Sequence, residues 1–288
     1  MGAGASVVKD SEGELEAGLG DLPENCVAEV LLHLHPPEIC GAARLSRTFR
    51  AAASADFVWE AKLPENYAYL LELARSERSS CEKGGLCLKE VYSWLCRSNP
   101  LDGGNKIFWL EKNRGGICMS ISSKGLLITG IDDRRYWNYV STDESRFHEV
   151  AYLQQTWWFE VDGEVDFCFP AGAYSLFFRL HLGRPARKFG RRICSSDHVH
   201  GWDIKPVQFQ LSTSDGQNAT SHCYLDEPGR WLLYHAGDFV AENSNMSTKL
   251  KFSMTQIDCT HTKGGICIDS VLIYPKGFAH DKISTCYS

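Results

Sequence analysis

No stretch of these 288 residues is apolar for long enough to cross a bilayer. The longest run, Val27 to Leu34, is interrupted by Glu29 and His33, against the roughly 20 residues that a spanning helix requires. Positive charge is also scarce. Thirty Lys and Arg against 36 Asp and Glu give a net charge of −6, which leaves no overall field to hold a phosphate backbone, and nucleic acid is not an expected partner. Met1 to Gly20 lacks the apolar core of a secretory signal and carries Asp10, Glu12, Glu14 and Glu16 instead, so the expected location is the cytoplasm or the nucleus. The twelve cysteines lack a short repeated spacing. They read as reduced thiols acting as small hydrophobes, not as a disulfide framework.

What is present suffices for real cores: 43% hydrophobic and 11% aromatic residues, in a chain long enough for two domains. Val27, Val30, Leu31 and Leu34 form a helical stripe, with Asp21 and Glu24 spaced as a capping box around Pro23. Pro36-Pro37 ends that helix and starts another, carrying Ile39, Ala42 and Ala43, with Leu45 and Phe49 as a further i, i+4 pair. Phe57, Val58 and Trp59 belong to a third helix, closed by Pro64. Three short helices make a thin core, and below about 70 residues such a core rarely stands without a staple or a partner. Helical periodicity continues over 67–96, and Asn99 to Asn105 is a breaker read as the domain boundary.

Beyond it the period becomes that of strands. Trp157–Val161 and Val165–Phe169 flank Asp162-Gly163, a dipeptide favoured in tight hairpin turns, which predicts a hairpin there. On the same reading Trp157 and Trp158 point to opposite faces of a strand, so at most one is free to bind. Further strands are expected at 107–110, 117–121, 126–129, 174–182, 207–211, 222–225, 249–257 and 266–274. The expected fold is multidomain α+β, a small helical module followed by an antiparallel β-sandwich or jelly roll.

Leu22-Pro23-Glu24-Asn25-Cys26-Val27-Ala28-Glu29-Val30-Leu31-Leu32-His33-Leu34, followed by Ile39, Leu45, Arg50 and Trp59, resembles an F-box. The resemblance implies docking on a Skp-type adaptor and, through it, on a cullin scaffold. Leu22, Pro23, Val30, Leu34, Leu45 and Trp59 are the implied contacts; the alternative is that they form a private core. Three later blocks, Gly130 to Trp137, Gly201 to Val207 and Gln256 to Asp269, resemble the phloem protein 2 domain of plants, a lectin-like β-sandwich. The whole chain is similar to F-box members of the phloem protein 2-like A group. The implied organisation is an acidic tail (1–18), an F-box (19–65), a helical linker (66–104), the β-sandwich (105–276) and a C-terminal tail (277–288). The implied function is non-catalytic: the substrate-recognition subunit of a ubiquitin ligase, its β domain binding a target protein or glycoprotein. A carbohydrate-binding lectin without a ligase role is the alternative.

In the sugar-binding relatives two tryptophans and two glutamates form the site. Of these Trp137 alone is matched, the other positions being Gly130, Lys249 and Gln256, so weak binding of N-acetylglucosamine oligomers is expected. Cys259, His261 and Cys267, or Cys194 with His198 and His200, suggest zinc, but neither group has paired Cys-x-x-Cys or His-x-x-x-His elements. No metal or other cofactor is expected. Arg179 to Arg192 is basic without an acidic residue and reads as a solvated loop, with phosphate or an acidic partner as the sharper alternative. Met1-Gly2-Ala3-Gly4-Ala5-Ser6 fits N-myristoylation at Gly2. One acyl chain beside an acidic cluster implies only weak, reversible membrane contact.

Overall fold

The computed structural model describes residues 22–76, 85–188, 191–195, 198–278 and 283–284; Gly2 lies outside them. The chain divides into two compact units, one ending at Ala61 and the other starting at Lys62.

Among its described residues the first unit has four helices, α1 (Glu24–Leu31), α2 (Pro36–Ala42), α3 (Arg47–Ala52) and α4 (Asp56–Glu60). Asp21 of the expected capping box lies outside the described residues, and α1 begins after Pro23 with no side-chain cap. Pro36 and Pro37 open α2, where their missing N–H groups cost nothing. Ser46 caps α3 by accepting from the N–H of Phe49 at 3.2 Å, which leaves Leu45 outside the helix. The expected pairing of Leu45 with Phe49 is therefore not made: Phe49 is buried and Leu45 is 73% exposed. Val27, Leu31, Ile39, Ala52, Val58 and Trp59 supply most of the buried centre.

The second unit starts with α5 (Tyr67–Ser76) and α6 (Leu88–Leu95). The breaker at 99–105 is not a domain boundary, because both helices are fastened to the β region. Asn66, buried before α5, donates to the carbonyls of Cys168 (2.9 Å) and Ser244 (2.8 Å). Tyr92 on α6 donates to the carbonyls of Glu111 and Lys112. The stretch itself contains β1 (Asn99–Leu101), paired antiparallel with β2 (Lys106–Leu110).

The strands that follow are β3 (Ile117–Ser122), β4 (Leu127–Ile128), β5 (Trp137–Ser141), β6 (Glu149–Leu153), β7 (Phe159–Phe167) and β8 (Gly172–Leu182). Then come β9 (Arg184–Lys188), β10 (Arg191–Ser195), β11 (Val207–Thr213) and β12 (Asn218–Cys223), and finally β13 (Trp231–Ala241), β14 (Thr248–Gln256), β15 (Ile266–Pro275) and β16 (Ile283–Ser284). They make a larger sheet, β1-β2-β3-β15-β8-β13-β16 with β6 and β5 attached beside β15, a smaller one, β12-β11-β14-β7-β4, and the hairpin β9–β10. The basic stretch read as a loop thus contains a hairpin; the side chains of Arg187, Lys188, Arg191 and Arg192 lie outside the described residues. Between the sheets Phe178 of the larger meets Phe209 (5.5 Å) and Phe252 (6.0 Å) of the smaller.

The expected hairpin at Asp162-Gly163 does not form. Strand β7 runs straight through both residues, paired with β14 over its whole length, and Gly163 has no positive φ. Alternation decides the matter: Phe159, Val161, Val165 and Phe167 all face the core, and a reversal at Gly163 would break that row.

Candidate functional site

On the helical unit the six implied adaptor residues separate by burial. Val30 (50%) and Leu45 (73%) are exposed, Pro23 is exposed, and Leu22 and Leu34 are half-buried. Phe57, not among the six, is 43% exposed. Trp59 is different. It is 2% exposed and its indole N–H donates to the carbonyl of Ala53 at 2.8 Å, so in the free chain it holds the helices together and offers no contact surface.

On the β unit two of the sequence blocks that resemble the phloem protein 2 domain, 201–207 and 256–269, meet around one buried lysine. Lys263 is fully buried, and its ammonium donates to three backbone carbonyls, of Trp157 (2.8 Å), Gln256 (3.0 Å) and Asp258 (2.8 Å). Burial pulls its pKa below the usual lysine value. Three carbonyls satisfy all three donors of an ammonium, which makes the lysine a clamp between loops. Around it, the indole N–H of Trp202 donates to Gly264 (2.7 Å), His261 Nε2 sits 3.0 Å from the carbonyl of Gly201, and the amide of Gln256 donates to Lys205. Gly201 has φ +83°, and a Cβ there would stand 2.2 Å from the carbonyl oxygen of Thr262, so the close crossing requires glycine. Asp258 is held down to about 2 by hydrogen bonds from Thr260 and, less, by the Lys205 ammonium.

These clamped segments display large apolar side chains to solvent: Trp157 (52%), Trp158 (44%), Ile204 (54%) and Ile257 (50%). Both tryptophans are therefore accessible, against the expectation of one. They precede β7, in a turn where Thr156 Oγ1 accepts from the N–H of Trp158 and donates to its carbonyl. The Trp158 indole N–H donates to Glu160 at 2.9 Å, and Thr129 shares that carboxylate.

Of the four positions that the resemblance assigns to sugar, Lys249 stands apart from Trp137 and Gln256. Trp137 is 2% exposed, its N–H donating to the carbonyl of Thr129 at 3.1 Å and its ring stacked on Phe159. Gln256 is buried beside the same phenylalanine, its register partner. Lys249 lies seven residues away on the same strand, about 23 Å at strand rise, and pairs with Glu164.

The cysteine and histidine groups are likewise occupied separately: Cys267 is buried, Cys259 is exposed, and His200 Nδ1 lies against the carbonyl of His198. Cys194's side chain is outside the described residues, and among those described no three His, Cys, Asp or Glu side chains form a group able to hold a metal. Burial pushes the thiol of Cys96 up to about 11 and that of Cys118 upward as well, the opposite of what a nucleophile needs.

A small helical unit with apolar side chains left on its surface, ahead of a two-sheet antiparallel sandwich, defines a modular two-unit protein. The chain belongs to the F-box proteins of the phloem protein 2 A group. The F-box domain family matches residues 19–60 and the Phloem protein 2 family residues 116–275. F-box protein PP2-A13 of Arabidopsis thaliana is 58% identical over 268 residues, covering 93% of this chain and 91% of the relative. F-box protein PP2-A15 of the same plant is 52% identical over 290 residues, covering 96% and 95%. Among solved structures, a family 35 carbohydrate-binding module from Clostridium thermocellum aligns over 54% of this chain and 96% of its own at 11% identity and a TM-score of 0.32. That likeness is too slight to carry an argument about ligands.

Proposed function

We propose that the chain is the non-catalytic substrate-recognition subunit of a Skp-cullin-F-box ubiquitin ligase. The helical unit docks the adaptor through Val30, Leu45 and Phe57, with Leu22, Pro23 and Leu34 beside them. The β unit holds a target protein or glycoprotein on the segments clamped by Lys263, where Trp157, Trp158, Ile204 and Ile257 are exposed. Its effect on rate is proximity, bringing the target to the ubiquitin-charged enzyme.

The observation that carries this reading is the exposure of three large apolar side chains on a unit too small to stabilise itself generously. Co-purification with a Skp-type adaptor and a cullin tests it. Val30→Glu with Leu45→Glu is expected to abolish capture while leaving the helical content unchanged. Full capture by that folded variant would sink the reading. Trp59→Ala is the wrong probe: emptying its buried site costs about 3–5 kcal/mol and removes the unit rather than its surface. Trp157→Ala with Trp158→Ala is expected to keep adaptor capture and lose target ubiquitination.

A further inference from the structure

Phe178 faces the smaller sheet, so Arg179, its neighbour along β8, faces the other way, onto the outer side of the larger sheet. There a cleft of about 230 Å³ opens, lined by Glu144, Arg146, Arg179 and Asp269 over apolar walls that include Trp231, Leu233, Leu272 and Tyr274. Asp269 sits where the β15–β8 register slips between Ile268 and Ser270, the kind of bulge that re-aims a side chain. It is 2% exposed. Its Oδ2 accepts from Arg179 Nη1 at 2.6 Å and from the Ser270 hydroxyl at 2.8 Å, whereas its Oδ1 is buried without a hydrogen-bond partner. A buried charged acceptor left without a donor is destabilising, and such groups in folded proteins call for an explanation.

We propose that this cleft binds a small zwitterion, a free α-amino acid, its ammonium held by Asp269 and Glu144 and its carboxylate by Arg146 and Arg179. The charges select the class. A simple cation meeting Asp269 would face two guanidiniums, and a simple anion meeting the guanidiniums would face two carboxylates. A ligand carrying one charge of each sign satisfies both, through charge-assisted hydrogen bonds that outweigh those of neutral hydroxyls. The guanidiniums are already placed, Arg179 over the Trp231 ring at 4.5 Å and Arg146 over that of Trp109 at 4.0 Å, so little ordering remains to be done on binding. The volume lies below the roughly 300–1,000 Å³ of sites for drug-sized ligands, and the walls favour an apolar side chain. The proposal goes beyond the receptor reading and does not rest on it, since binding here is a property of the β unit alone.

Titration calorimetry of the full chain with L-leucine, L-phenylalanine and L-tryptophan tests it. Saturable binding of at least one is expected, weakened about tenfold or more when leucinamide or N-acetyl-leucine removes one charge, and likewise by Arg146→Gln. Arg146 is exposed, so that variant should melt like the parent. Asp269→Asn is expected to weaken binding similarly; should it fail to fold, Glu144→Gln decides in its place. Absence of saturable binding by the folded chain up to about 10 mM overturns the proposal. So does equal affinity for the amino acids and their singly charged derivatives, or binding of N-acetylglucosamine in their stead.

Discussion

Gly163 and Phe252 are register partners on β7 and β14, and a Cβ built on the glycine would stand 2.2 Å from the phenylalanine ring. Leu126 closes the same space at 3.0 Å. The glycine is present because the ring occupies the place a side chain would take, and this explains why Asp162-Gly163 is not a turn. Gly163→Ala is expected to destabilise the β unit by about 1–3 kcal/mol through overpacking, read from urea denaturation. Phe252→Leu in the same chain should recover part of the loss. A neutral Gly163→Ala would show that the glycine has no packing role.

Lys263 yields a second expectation. Lys263→Met keeps the buried stem but leaves the carbonyls of Trp157, Gln256 and Asp258 without their donor. At about 1–3 kcal/mol for each buried group left unpaired, the three carbonyls together should cost about 3 kcal/mol or more. Hydrogen exchange should rise first in the segments around 157 and 256–260. Unchanged protection there would refute the clamp.

The Asp258 carboxyl supplies a pH test. Hydrogen bonds from Thr260 and the nearby Lys205 ammonium lower its pKa to about 2. A carboxylate lowered on folding contributes stability that is complete above its unfolded value, near 3.9, and is lost as pH falls through the folded one. The carboxyl resonance of Asp258 should therefore titrate with a midpoint near 2, and Asp258→Asn should flatten the stability profile between about pH 4 and 2. A midpoint near 4 would show that Thr260 does not hold the carboxylate.

How much of this was readable beforehand depended on whether a residue's role is local. The α1 stripe and the change to strand periodicity after residue 105 were legible, because burial of one helix face or alternate strand positions follows from local spacing. Strand β13 was not among the expected strands, although Trp231 to Tyr234 form a buried run without alternation like that of β15. Trp59 could be placed near the adaptor surface by its position in the motif, but whether it points out or in depends on Ala53, six residues away. Lys263 looked like an ordinary lysine within a motif block. Its three partners come from separate segments that only the folded sandwich brings together.

The same separation governs the last prediction, on sugar. A saccharide site needs an aromatic face free to stack on the ring, with carboxylates beside it to accept from hydroxyls. The sequence resemblance sets Trp137 at a sugar-site tryptophan, yet its ring lies buried against Phe159, and neither Lys249 nor Gln256 is an acidic acceptor. Gln256 is committed to Lys205, and Lys249 to Glu164 at the far end of β14. Losing charge-assisted hydrogen bonds of about 1.5–3 kcal/mol each should weaken binding by several orders of magnitude. Calorimetry of the full chain against chitin oligomers is therefore expected to show no micromolar affinity. Trp137→Ala should lower stability by about 3–5 kcal/mol, as for any large buried aromatic. Micromolar binding that Trp137→Ala abolishes without loss of fold would return Trp137 to a ligand role, against its burial.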